Sequence, residues 1–298
     1  MRASLFVALC LAWSVGQAQW VDPDRSEPAG TKYRTFQSDT IRGEVSYLIY
    51  LPPAYEQETG RSFPVVYWLH GLGGNQRGGA PFVAQLDAAI RAGQAPPMIA
   101  VLVNGLRDSR YYDSRDGQRP VETVIVRDLV PHIDKTYRTI ARRQSRAIEG
   151  YSMGGFGTAH LGFKYPDQFG AMSIMAGALL DTDSVASSMY PELFEKNFGS
   201  NKAYFHEGSP WVLAERNAAQ IRGRTLVRIG VGELDGLYER NLTYHEMLER
   251  LGIANEFFGV PGVAHNGRQF YEKLGATAFR FYQRAFGAST GARTGTGQ

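Results

Sequence analysis

Strict alternation of apolar and polar residues marks Tyr33 to Gln37 and Glu44 to Leu51 as two half-exposed antiparallel strands. Pro52-Pro53 ends the second. From Phe63 the pattern changes: Phe63 to Leu69 and Met98 to Val103 are continuous apolar runs, as in strands buried on both faces. Ala147-Ile148, Ala171 to Met175, Leu226 to Val231 and Glu256 to Val260 read as further strands. Helical spacing fills the gaps between them. Phe82, Leu86 and Ile90 share one face, and Gly93 stops that helix. Val121, Ile125, Leu129 and Ile133 carry another from Val121 to Tyr137, with a bend expected at Pro131. Phe156, Ala159 and Phe163 mark a third, and Tyr244, Met247, Leu248 and Leu251 a fourth, ended by Gly252. Residues 270–286 read as a closing helix. This alternation predicts an α/β protein: a mainly parallel sheet flanked by helices, with functional loops at the C-terminal ends of its strands.

The less regular stretches are expected to surround that body. Residues 19–30 read as a loose lead-in, 31–286 as a single catalytic domain and 287–298 as a disordered tail rich in Gly, Thr and Ser. Asn104 to Pro120 is a polar loop expected to shape a pocket, and Asp181 to Arg224 a partial lid over it. At 298 residues and 43% hydrophobic, one large core is well supported. A net charge of +3 gives no reason to expect nucleic acid. The densest basic run, Arg138, Arg142, Arg143 and Arg146, reads as a solvated surface turn. At the N-terminus, Met1-Arg2 precedes an apolar run, Leu5 to Trp13, too short to span a bilayer, and then Gly16-Gln17-Ala18. Residues 1–18 are read as a secretory signal cleaved after Ala18, which predicts a secreted or periplasmic protein without stable membrane insertion. The sole cysteine, Cys10, lies inside that segment, so the mature chain is expected to use no thiol chemistry.

The chemistry concentrates at Gly150-Tyr151-Ser152-Met153-Gly154-Gly155, a G-x-S-x-G pattern between a strand and a helix. A serine at the tip of such a turn needs glycine two positions before and after it, because side chains there would collide. In return Ser152 Oγ stands exposed, and the N–H of Met153 opens a helix where it can meet a developing oxyanion. His70-Gly71-Leu72-Gly73-Gly74 follows a buried strand, and the Leu72 N–H is the expected second donor. His70 itself reads as a pin for that turn. Serine needs a base, itself oriented by an acid, in the chain order Ser, acid, His. Of the six histidines only His265 lies in a glycine-flanked loop after the last strand. Asp235, after the preceding strand, is the expected acid and Glu233 the alternative. Tyr111, Tyr112, Trp211 and Tyr238 are the expected substrate-contacting residues. Asp181-Thr182-Asp183 reads as a turn or helix cap, and no metal or organic cofactor is required.

These motifs, with Val121-Glu122, Asp128-Leu129-Val130-Pro131-His132-Ile133-Asp134, Tyr137-Arg138-Thr139, Arg146 to Gly155, Gly232-x-x-Asp235 and Pro261-Gly262-x-x-His265, resemble the esterase D group. That group contains the feruloyl and acetylxylan esterases of carbohydrate esterase family 1, S-formylglutathione hydrolases and the antigen 85 mycolyltransferases. The match spans roughly residues 40–285. The resemblance implies an α/β-hydrolase with little cap and a serine carboxylesterase activity on a small-molecule or carbohydrate-linked ester. An acyltransferase passing the same acyl group to a sugar hydroxyl, and an inactive fold kept for binding, are the competing expectations.

Overall fold

A computed structural model describes residues 19–188 and 190–287. The expected signal segment 1–18, with Cys10, and the tail 288–298 lie outside the described residues. Among those described, eight strands form one sheet in the order β1-β2-β4-β3-β5-β6-β7-β8. They are β1 Thr31–Ser38, β2 Gly43–Tyr50, β3 Val65–Leu69, β4 Ile99–Val103, β5 Arg146–Tyr151, β6 Ala171–Met175, β7 Leu226–Gly232 and β8 Asn255–Val260. β1 pairs antiparallel with β2, and β2 antiparallel with β4; every pairing from β4 to β8 is parallel. The period-2 geometry of a strand sends alternate residues to opposite faces. Val65, Tyr67 and Leu69 join one core while Val66 and Trp68 join the other, which is why that run is apolar throughout.

The helices sit close to where the periodicity puts them, with two corrections. The Val121 helix is irregular before Pro131: Val121–Thr123 passes into a π-type segment, Val124–Leu129, and then into Val130–Thr136. Proline lacks an N–H and its ring clashes with the carbonyl four residues back, and the wider π turn just before Pro131 makes room for it. The closing helix is broken. Gly275, at φ 65°, separates Gly267–Leu274 from a 3₁₀ turn at Ala276–Phe279 and from Arg280–Phe286.

Two other expectations are revised and a third is filled in. Residues 19–30 are fastened to the sheet: Ser46 N–H donates to Trp20 O (2.8 Å), Asp22 N–H to Ser46 Oγ (3.0 Å), and Arg77 pairs with Asp22 (3.1 Å). The basic run is not a solvated turn, since only Arg142 is exposed. Arg146 is buried and pairs with Asp134 (2.6 Å), Arg143 donates to Pro166 O and Arg224 O, and Arg138 lies over the Tyr55 ring. Lastly, 181–224 folds into five short helices around a satellite cluster of Tyr112, Phe156, Val185, Phe194, Phe198 and Phe205. That block is bolted to the helix Met153–Lys164, where His160 donates through Nδ1 to Gly208 O (2.7 Å) and meets Glu122 through Nε2 (2.6 Å). Burial alone would raise the Glu122 carboxyl, but His160 and Lys164 outweigh it and hold it at about 2.

One polar network inside the core positions the site and was not anticipated. Glu149, fully buried on β5, accepts from Arg228 Nη2 (3.1 Å), Tyr271 OH (2.9 Å) and Tyr282 OH (2.5 Å). Arg228 also donates to Ser173 Oγ and Ala278 O and lies over the Phe281 ring, and Trp68 Nε1 donates to Tyr271 OH. The closing helices are thereby tied to β3, β5, β6 and β7, three residues before Ser152. Glu149→Ala strands a buried guanidinium, so a loss of roughly 3–5 kcal/mol is expected. Thermal unfolding should read this as a fall on the order of 10 °C; a shift under 2 °C would contradict it.

No helix among the described residues is long and apolar enough to cross a membrane, and none of their His, Cys, Asp or Glu form a group able to hold a metal.

Candidate active site

Ser152 lies between β5 and the helix Met153–Lys164 at φ 61°, ψ −114°, a backbone conformation costing on the order of 1–3 kcal/mol for a non-glycine residue. The surroundings leave it no alternative. Ser152 N–H donates to Met175 O (2.9 Å), and Ser152 O accepts from Phe156 (3.0 Å) and Ala178 (3.0 Å). A Cβ at Gly150 would stand 2.3 Å from Gly154 O, and one at Gly154 would stand 2.0 Å from Leu69 O. Both glycines of the motif are therefore sterically obligatory.

Two loops from further strands converge on this serine. After β8, a turn at Pro261-Gly262 brings in His265, and Asn266 caps the next helix by accepting from Gln269 N–H (3.0 Å). His265 Nε2 lies 2.8 Å from Ser152 Oγ, and Nδ1 lies 2.7 Å from Asp235 Oδ2. Asp235 is buried, and its Oδ1 accepts from Leu237 N–H (2.9 Å), which fixes the carboxylate's orientation. A carboxylate can only accept, so Nδ1 carries the proton and the Nε2 lone pair faces the serine hydroxyl. The alternative acid, Glu233, is exposed and rests over Gly259, without a hydrogen bond to His265.

The glycine turn after β3 completes the arrangement. Gly71 packs against the serine, where an added Cβ would make ordinary contact with Ser152 Cβ at 3.5 Å. Gly73 N–H donates to Arg107 O (2.7 Å) and Gly74 N–H to Gly71 O (3.1 Å), whereas no acceptor among the described residues takes the Leu72 N–H. Met153 opens its helix, where backbone N–H groups have no intrahelical acceptor. His70 pins the turn: Nδ1 donates to Gly71 O (2.9 Å), while Nε2 accepts from Gly105 N–H (3.4 Å). Burial pushes its pKa down to about 4, so it stays neutral.

The four expected aromatic contacts fare differently. Tyr111 is fully buried, donates to His70 O (2.9 Å) and packs against Gly105 and Gly157, so it supports the turn from beneath and presents no surface to a ligand. Tyr112 is likewise enclosed, stacked on His160 at 3.9 Å with its hydroxyl on Phe205 O. Trp211 donates to Leu179 O and packs edge-on to Tyr244; Tyr238 packs edge-on to Phe257. Trp211 thus packs helix against helix and Tyr238 packs helix against β8, and both residues remain half-buried. A cavity of about 340 Å³ is lined by Gly71 and Leu72 of the expected glycine turn together with residues to which the sequence reading gave no substrate role, Trp68, Tyr151, Arg268 and Tyr271 among them. Trp68 was visible only as a strand residue just before the glycine turn, and Tyr151 only as the variable position of the serine motif.

Fold and site together define an α/β-hydrolase-fold protein with a serine, a histidine and a buried aspartate in hydrogen-bonded series. Residues 38–285 match the Esterase family model, described as "Putative esterase", and the chain belongs to that family. An esterase of Mycobacterium tuberculosis is 33% identical over 160 residues, 53% of this chain and 34% of that protein. An endo-1,4-beta-xylanase/feruloyl esterase of Xylanibacter ruminicola is 31% identical over 153 residues, 48% of this chain and 21% of that one. The matches thus span about a third and a fifth of those curated relatives. Among solved structures, a ferulic acid esterase superposes with a TM-score of 0.73 at 25% identity, covering 86% of this chain and 98% of its own.

Proposed function

We propose that the chain is an exported serine carboxylesterase in which Ser152, His265 and Asp235 act as nucleophile, base and orienting acid. The observation that carries this is the unbroken relay from Asp235 through His265 to Ser152, at 2.7 and 2.8 Å. Ser152 Oγ attacks the ester carbonyl carbon while its proton passes to His265 Nε2. The carbonyl oxygen becomes an oxyanion facing the Leu72 and Met153 N–H groups, each such donor contributing about 3–4 kcal/mol in comparable deletions. Collapse breaks the bond to the alcohol, which leaves with the proton from His265. Water, deprotonated by the same nitrogen, then releases the acid and restores the serine. Asp235 keeps the Nδ1–H tautomer and stabilises the imidazolium formed in each step.

Feruloyl or acetyl-sugar esters are the substrates we favour. The Xylanibacter relative and the superposing ferulic acid esterase support the feruloyl reading. Export rests on the leader-like pattern of residues 1–18.

The test is hydrolysis of p-nitrophenyl acetate, butyrate and octanoate and of methyl ferulate, with and without an added sugar acceptor. Release of free acid in both conditions is expected. Acyl transfer to the sugar as the main product would favour the transferase, and folded protein inert to all four esters and to a fluorophosphonate probe would favour a binding role.

A further inference from the structure

Arg110 is a buried cation for which no described residue supplies a counter-ion. Its residue is 6% exposed, and neither Nε nor Nη1 has a hydrogen-bond acceptor. The contact it does make is to a ring: the guanidinium carbon lies 5.8 Å from the centroid of Phe156. Burial pushes the group down to about 10, and the nearby Arg240 guanidinium pushes in the same direction, yet at neutral pH it remains cationic. A buried charge without a partner is strongly unfavourable, so such a group is retained where something else completes it.

The backbone that delivers it is held in place under strain. Arg110 and Tyr111 are consecutive non-glycine residues at φ 54° and 62°. Ser109 Oγ accepts from Tyr111 N–H (2.9 Å), and Tyr111 OH donates to His70 O (2.9 Å), so the loop is braced against the glycine turn that touches Ser152. Phe156 is one turn along the helix from Ser152, its N–H bonded to Ser152 O (3.0 Å). The guanidinium over Phe156 therefore lies against the first turn of the helix that Ser152 opens.

The side of the nucleophile follows from the sheet order. His265 and Asp235 come from β8 and β7, whereas Arg110 follows β4, on the other side of β5. His265 must hand its proton to the leaving alcohol, so the alcohol lies on its side and the acyl group extends away from it. Resting on the esterase reading above, we propose that Arg110 anchors the acyl portion of the substrate and extends the accepted acids beyond feruloyl and acetyl groups to those that carry a distal carboxylate. Nη2, which belongs to both fork edges of the guanidinium, is the nitrogen through which a carboxylate would be taken up in bidentate form.

The test compares p-nitrophenyl hemisuccinate with p-nitrophenyl butyrate, equal in acyl length and leaving group. The ratio of kcat/KM, charged over neutral, should fall at least tenfold in Arg110→Met relative to wild type, with Arg110→Lys between them. Independently of turnover, glutarate should raise the melting temperature of Ser152→Ala protein and fail to do so once Arg110→Met is added. Equal ratios in wild type and Arg110→Met, with Ser152 still labelled by a fluorophosphonate in both, would overturn the proposal and leave the esterase reading standing. Turnover surviving in Ser152→Ala would strike the esterase reading itself.

Discussion

Replacing Ser152 with alanine is expected to lower kcat for ester hydrolysis by roughly 10⁴–10⁶-fold while leaving the fold intact. The size follows from what remains. Without the nucleophile no acyl-enzyme forms, and His265 can at best activate a water molecule. In the proposed mechanism the Leu72 and Met153 N–H groups still meet the carbonyl, and donors of that kind with binding alone preserve about 10³–10⁴-fold over the uncatalysed reaction. Stability should change little, because the bonds that hold the strained turn use Ser152 N and O and survive the substitution. The removed atom contacts His265 Nε2, whose ring stays held by Asp235. Rates with p-nitrophenyl acetate, a melting curve and fluorophosphonate labelling decide the matter together. Variant and wild type turning over at the same rate would mean that another group does the chemistry.

How much of this could be read from the residues depends on the kind of signal. The strands from β3 to β8 were legible because a parallel sheet covered on both faces demands apolar runs, and Val65 to Leu69 or Ile99 to Val103 satisfy that demand at every position. The serine turn was legible because sterics at Gly150 and Gly154 admit no other residue. Pairing Ser152 with His265, 113 residues away, needed only the rule that loops after parallel strands share one end of the sheet. Aromatic side chains carry no such rule. Tyr111 and Tyr112 sit in a polar loop and look available, yet closing that loop over Gly157 and His160 buries both rings. Trp68 looks like core and is also a cavity wall. Charges within strands are equally opaque. Glu149 and Arg228 read as interruptions of apolar runs until the sheet order sets β6 between them and lets Arg228 reach across Ser173.

The two acids after β7 separate cleanly by mutation. Asp235→Asn should reduce kcat by about 10⁴-fold, the loss seen for the same exchange in serine proteases, whereas Glu233→Gln should stay within about twofold of wild type. Asparagine is nearly isosteric and its oxygen can still accept from Leu237 N–H, so the local turn persists. What changes is the group offered to His265 Nδ1. An amide presenting N–H to that nitrogen favours the tautomer with the proton on Nε2, which then points a donor at Ser152 Oγ and cannot take its proton. An amide presenting its oxygen would keep the tautomer but lacks the negative charge that stabilises the imidazolium, and this smaller effect acts in the same direction. Glu233 has neither lever, since its exposed carboxylate lies over Gly259, and charge at such a site is screened by solvent. Single-turnover rates with p-nitrophenyl acetate would show the difference directly. If Glu233→Gln lost a thousandfold while Asp235→Asn remained active, the 2.7 Å contact between Asp235 and His265 would not be the one that orients the base, and the acid would have to be reassigned.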